Sequence, residues 1–208
     1  KAISNIINNY EVDRLIIEPT GVAKLSELKR IFEDRNEENI LLIDEAHNLP
    51  DRAIDMYSAE LSKNAVESVA SVIPPHDSDF LCELDAFLRV LDDSRELCRD
   101  NMFKNDKGEE NGYYISKNAY DEIEKRVSLL KKACGIWIRK NKLSPYLSQV
   151  KALNADLIKY EKISDLYDAH YTFFIEVAHG DIKVRLACLD PSHLLSLCHN
   201  RAVSSVMF

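Results

Sequence analysis

Two adjacent acids, Asp44 and Glu45, end the apolar run Ile40-Leu41-Leu42-Ile43, and His47 follows two positions later. Four apolar residues in a row suit a strand buried on both faces, as in a parallel sheet. In open α/β sheets, ligands gather at the carboxyl ends of such strands. An acid placed there can hold Mg²⁺, usually through water, and the ion neutralises nucleotide phosphates. A second acid beside it can orient or deprotonate an attacking water. Neighbouring residues on a strand point to opposite faces, so both acids serve one site only if the strand ends and the chain turns. Asn48 and Pro50 permit that turn. The competing reading of an isolated acidic pair is a solvated strand end with a loop histidine.

A second group of residues suits nucleic acid. Arg126, Lys131, Lys132, Arg139, Lys140 and Lys142 make one helical segment basic towards its end, with Tyr113, Tyr114, Trp137 and Tyr146 near in sequence. Cations on phosphates plus aromatic rings under bases would hold a single strand. The same residues also fit a solvated helix face whose basic last turn complements the helix dipole, with Trp137 in the core. The histidines, among them His76, His170, His179, His193 and His199, show no ligand spacing along the chain. The five cysteines form no C-x-x-C pair and are odd in number, which argues for scattered reduced thiols rather than a zinc site or a disulfide framework.

The elements that must position these residues follow from hydrophobic periodicity. The chain has 208 residues, 46% of them apolar and 30% charged, enough for one ordinary domain or two small ones with a real core. The net charge of −8 excludes a chain that is basic throughout but not a local basic groove. Only 5 glycines are present, so long helices are expected over tight turns. Ala53 to Val72 carries apolar residues at helical spacing, and Pro74-Pro75 stops it. Asp77 to Phe103 and Ser116 to Lys140 continue the pattern, separated by a polar loop over 104–112. Pro145 opens a further helix reaching towards Tyr167. Tyr171 to Leu189 alternates about the turn His179-Gly180-Asp181 and predicts a β-hairpin. Pro191 to Asn200 predicts a short helix, and Ser204 to Phe208 a strand. The expected fold class is mainly α, about four long helices inserted between the α/β pieces of another domain. No apolar stretch is long enough for a membrane span and no signal pattern opens the chain, so a cytoplasmic location is expected. The sequence starts within an amphipathic run (Ile3, Ile6, Ile7, Tyr10), which suggests an internal piece of a longer protein.

The run Asp44-Glu45-Ala46-His47 after an apolar strand resembles motif II of superfamily 2 helicases. The longer stretch Asp44 to Arg52, followed by Met56-Tyr57-Ser58-Ala59-Glu60-Leu61, is similar to the Rad3/XPD/DinG branch, in particular bacterial Rad3-related DNA helicases. The tail from Leu189-Asp190-Pro191-Ser192 to Ser204-Ser205-Val206-Met207-Phe208 looks like the approach to that family's S-A-T motif. The resemblance implies a partial RecA-like motor domain over 1–50, a helical arch domain over 51–168 and a return to the motor domain over 169–208. It implies ATP- and Mg²⁺-dependent unwinding of DNA with 5′-to-3′ movement on single-stranded DNA. Asp44 would be the Mg²⁺ carboxylate, Glu45 the catalytic base and His47 the residue coupling hydrolysis to DNA. The arch would help to form the passage for a strand, with Lys131, Lys132, Arg139 and Lys140 as candidate contacts.

Two departures stand out. Glu18-Pro19-Thr20-Gly21-Val22-Ala23-Lys24-Leu25 looks like the family's phosphate loop, yet Leu25 cannot supply the metal-ligating hydroxyl. Lys24 and Asp44 are only 20 positions apart, too close for the intervening elements of a motor domain. The family also tends to carry a four-cysteine iron–sulfur cluster ahead of D-E-A-H. No cysteine precedes Cys82 here, so ligands of such a cluster would lie elsewhere in the parent protein.

Overall fold

The computed structural model describes residues 40–43, 45–200 and 204–207. After strand β1 (Ile40–Ile43) a 3₁₀ turn (Ala46–Asn48) leads into α1 (Leu49–Met56), with Pro50 in its first turn, where a missing N–H costs nothing. There follow β2 (Ala59–Ser62), α2 (Lys63–Val72), α3 (Ser78–Ser94), a 3₁₀ segment (Arg95–Asn101), β3 (Phe103–Lys104) and β4 (Glu110–Ser116). The chain continues with α4 (Asp121–Lys140), α5 (Leu147–Ser164), β5 (Tyr171–Ala178), β6 (Asp181–Cys188), α6 (Ser192–His199) and β7 (Ser204–Met207).

Two compact units divide the chain. The larger covers Ile43–Cys198 with Met207–Phe208, and the other covers Lys1–Leu42 with His199–Val206. Strands β1 and β7 are neighbours in a two-stranded sheet. In the larger unit the strand order is β2-β6-β5-β4-β3, antiparallel throughout.

Period-2 alternation gives this sheet one core face. Tyr171, Phe173, Ile175 and Val177 of β5 are buried, as are Ile182, Val184, Leu186 and Cys188 of β6 and Ala59 and Leu61 of β2. The helices supply the opposing layer: Leu84, Phe87 and Leu91 of α3, Ile123, Val127 and Leu130 of α4, and Val150, Leu157 and Tyr160 of α5 join the same cluster. Each such side chain contributes about 1.5–3 kcal/mol on burial. Trp137 belongs to this core: it stacks on Phe80 with centroids 5.7 Å apart, and its Nε1 donates to Asp77 Oδ2 at 2.8 Å.

The expectation of a mainly α insertion with about four long helices is overturned. The described residues form six helices and a five-stranded antiparallel sheet, an α/β arrangement. The expected helix from Ala53 to Val72 is broken by β2. Tyr57, Leu61 and Ala65 fit helical spacing, but Ala59 and Leu61 also alternate, and over four residues the two periods cannot be told apart. Here the partner strand decides: Ala59 pairs with Leu186 and Leu61 with Val184. Ser58 marks the break, donating its Oγ to Ile54 O at 2.7 Å while accepting from Cys188 N at 3.0 Å. The polar stretch 104–112 carries the tip of the β3–β4 pair, and β4 takes Ser116 away from the long helix, which starts at Asp121. The hairpin over Tyr171 to Leu189 forms where expected, but its partners are β2 and β4, so it belongs to the sheet of the larger unit.

All five cysteines are free. Burial pushes the Cys134 thiol up to about 12 and raises those of Cys98 and Cys188. Since the thiolate is the nucleophile, iodoacetamide on the native protein is expected to modify exposed Cys82 first and to reach Cys134 only after denaturation. Peptide mapping by mass spectrometry checks this, and equal labelling of the two would contradict the packing of α4. Among the described residues no helix is long and apolar enough to cross a membrane.

Candidate functional site

The chain turns directly after β1. Strand β1 stops at Ile43, and Glu45 adopts a left-handed conformation with φ 52° and ψ 42°. For a residue with a Cβ this costs about 1–2 kcal/mol, and such outliers concentrate at functional turns. The Glu45 carbonyl accepts the N–H of Asn48 at 2.9 Å, closing the 3₁₀ turn that leads into α1. This geometry brings Glu45 and His47 to one spot, with Nδ1 of His47 3.3 Å from Oε2 of Glu45. Their side chains are 64% and 73% exposed, so the pair adds little stability. What the turn provides is a carboxylate open to water with an imidazole beside it, the minimum for positioning a hydrolytic water. Asp44 and the phosphate-loop-like stretch with Lys24 lie outside the described residues.

The four candidate DNA contacts all lie on α4 but are not equivalent. Lys131 is engaged in an ion pair with Glu161 of α5 and is half-buried. Lys132, Arg139 and Lys140 are exposed. Lys132 and Arg139, seven residues apart, share a strip with the exposed side chains of Leu129 and Ile136. Trp137 is committed to the core, so it offers no ring to a base. Tyr113 on β4 remains exposed.

A further constellation escaped the reading of histidine spacing. Asp168 and His170 stand just before β5, and His193 lies in the first turn of α6, just after β6. Because β5 and β6 are hairpin partners, with Tyr171 opposite Cys188, the residues before one and after the other are neighbours. The backbone N–H of His170, and then its imidazole, hold the Asp168 carboxyl below the usual carboxylate range. The Asp190 carboxyl is likewise lowered, first by the N–H of Ser192 and less by the two imidazoles. The signal in the sequence was Asp168-x-His170 at one end of the hairpin and His193 at the other. It becomes visible only once the hairpin register is known. Among the described residues this is the one group of three or more His, Cys, Asp or Glu side chains whose ligand atoms lie close enough together for a single metal ion.

Compared with protein-family models and with curated proteins, the chain matches none.

Proposed function

We propose that the chain is a segment of an ATP-dependent DNA helicase that moves 5′-to-3′ on single-stranded DNA. The observation that carries this reading is the strand–turn–helix over Ile40–Met56, with Glu45 left-handed at the turn, solvent-open and 3.3 Å from His47. In this reading Glu45 is the base for the attacking water and His47 couples hydrolysis to DNA. Asp44 is assigned to hydrated Mg²⁺ on its sequence position alone. The pairing of β1 with β7 adds support, because the chain leaves this two-stranded sheet before Glu45 and returns to it after α6. Turnover is assigned to the whole protein containing this chain. The test is ATP hydrolysis by that protein with and without single-stranded DNA, paired with unwinding of a 5′-tailed duplex. Absence of DNA-stimulated hydrolysis would sink the reading.

A second reading, a DNA-guiding module without chemistry of its own, is favoured by the exposed strip of Lys132 and Arg139 with Leu129 and Ile136. Each cation removed from a phosphate lowers the salt slope of binding by about one. The double variant Lys132→Glu/Arg139→Glu is therefore expected to weaken single-strand binding by this chain at low salt and to flatten its salt dependence by about two. Lys131→Gln is expected to change binding little, since that cation is already paired with Glu161. Unchanged binding in the double variant, measured by fluorescence anisotropy, removes α4 from the DNA path.

A further inference from the structure

We propose that Asp168, His170 and His193 form a binding site for a divalent transition-metal ion of the zinc class, with one coordination position left to water. Oδ2 of Asp168 lies 3.1 Å from Nδ1 of His170 and 3.5 Å from Nε2 of His193. All three donor atoms fall within 4.8 Å of one another. For metal–ligand bonds of about 2.0–2.2 Å, the edge of a coordination tetrahedron is about 3.4 Å. Two of the three edges therefore already have the required length. The third, between the two imidazoles, is no longer than 4.8 Å. The rings are stacked with centroids 4.4 Å apart and planes inclined by 25°, and on binding an ion they would have to splay to aim both nitrogens at it.

The scaffold that presents these donors is fixed by the backbone. The N–H of His170 donates to Asp168 Oδ1 at 2.8 Å, which sets the carboxylate. The N–H of Leu189 donates to the carbonyl of His170 at 2.8 Å, which ties the entrance of β5 to the exit of β6. Asp190 Oδ1 accepts the N–H of Ser192 at 2.9 Å and anchors the start of the helix that carries His193. The three ligands thus come from two segments held together by the hairpin, and an ion would clip α6 to the start of β5.

The donor chemistry selects the ion. Two imidazoles and one carboxylate suit Zn²⁺, Co²⁺, Ni²⁺ or Cu²⁺, whereas Mg²⁺ and Ca²⁺ prefer sites built of oxygen. The side chains are 42%, 40% and 31% exposed for Asp168, His170 and His193, so one side of the cluster faces water. Three protein ligands with the fourth position left to water distinguish such a site from closed, four-ligand structural zinc sites. The site uses none of the D-E-A-H residues and stands whether or not the helicase reading does.

The test is titration of the chelator-treated chain with Zn²⁺ by calorimetry, and with Co²⁺ by visible absorption. One equivalent of Zn²⁺ is expected to bind, Co²⁺ is expected to give the ligand-field bands of a four-coordinate ion, and a large excess of Mg²⁺ is expected not to compete. His170→Ala and His193→Ala should each weaken Zn²⁺ binding by about tenfold or more, since even an outer-sphere partner is worth that much. The double variant should bind none at this site. His76→Ala and His179→Ala serve as controls and should leave the affinity unchanged. If His193→Ala unfolds by circular dichroism, His193→Gln replaces it, keeping the bulk without the imidazole. Failure of the wild-type chain to bind Zn²⁺, displacement by Mg²⁺, or unchanged binding in the double variant overturns the site and leaves a hydrogen-bonded Asp–His–His cluster.

Discussion

Replacing Glu45 with Gln is expected to lower ATP turnover by the protein containing this chain by about 10²–10⁴-fold, the usual share of a positioned general base. The substitution keeps the size and length of the side chain. It also keeps the backbone demand, since neither residue is favoured over the other at φ 52°. What it removes is the carboxylate that can take a proton from water. In the proposed reading nucleotide binding should survive, because Glu45 is assigned to the attacking water and not to the phosphates. The kinetic signature is therefore a fall in kcat with little change in the apparent affinity for ATP. Rapid-quench turnover and equilibrium binding of a fluorescent ATP analogue separate the two. A variant that hydrolyses ATP at the parental rate would remove Glu45 from the chemistry, and the D-E-A-H turn would then be only a strained surface turn.

That turn was legible in the sequence because its determinants are local: four apolar residues, two acids, then Asn48 and Pro50 within a few positions. The hairpin was legible for the same reason. His179 and Gly180, both at positive φ, form a two-residue loop between paired strands, and the flanking residues alternate over eight positions each. The helical core faces could be read too: Ile123, Val127, Leu130, Cys134 and Trp137 are all buried on α4 as their spacing implies. What misled the fold class was the short strands. Four residues of β2 and two of β3 are too few for a period to declare itself, and their identity rests on partners more than a hundred residues away or across a turn. The basic helix was placed correctly, but charge counting could not foresee that Lys131 would pair with Glu161. The Asp168–His170–His193 cluster was hidden for a related reason. Its spacing in sequence has no meaning until β5 and β6 are put side by side.

The same long-range logic makes Asp181 the polar residue whose loss should cost most. It closes the hairpin turn, yet its carboxylate is buried and accepts three hydrogen bonds. Oδ1 takes the N–H of Ile182 at 2.8 Å and that of Asn64 at 3.0 Å, and Oδ2 takes the hydroxyl of Ser62 at 2.8 Å. Ser62 is the N-cap of α2 and itself accepts from Ala65 N at 3.3 Å. Asp181 therefore supplies, from a distant strand, an acceptor for one of the N–H groups that a helix start leaves unpaired. Its negative charge also sits at the favourable end of the helix dipole. Asp181→Ala would leave two backbone N–H groups and a hydroxyl without their acceptor in a buried place. Bonds to a charged acceptor contribute about 1.5–3 kcal/mol each, and they do not add fully because they share one carboxylate. The expected loss is about 3 kcal/mol in urea unfolding with an unchanged m-value. Asp181→Asn keeps one acceptor oxygen and lets the Ser62 hydroxyl reverse to accept, so it should recover more than half of that loss. If the Ala variant lies within about 0.5 kcal/mol of the parent, the range of an unremarkable surface change, the carboxylate does not tie β6 to α2, and the start of α2 rests on Ser62 alone.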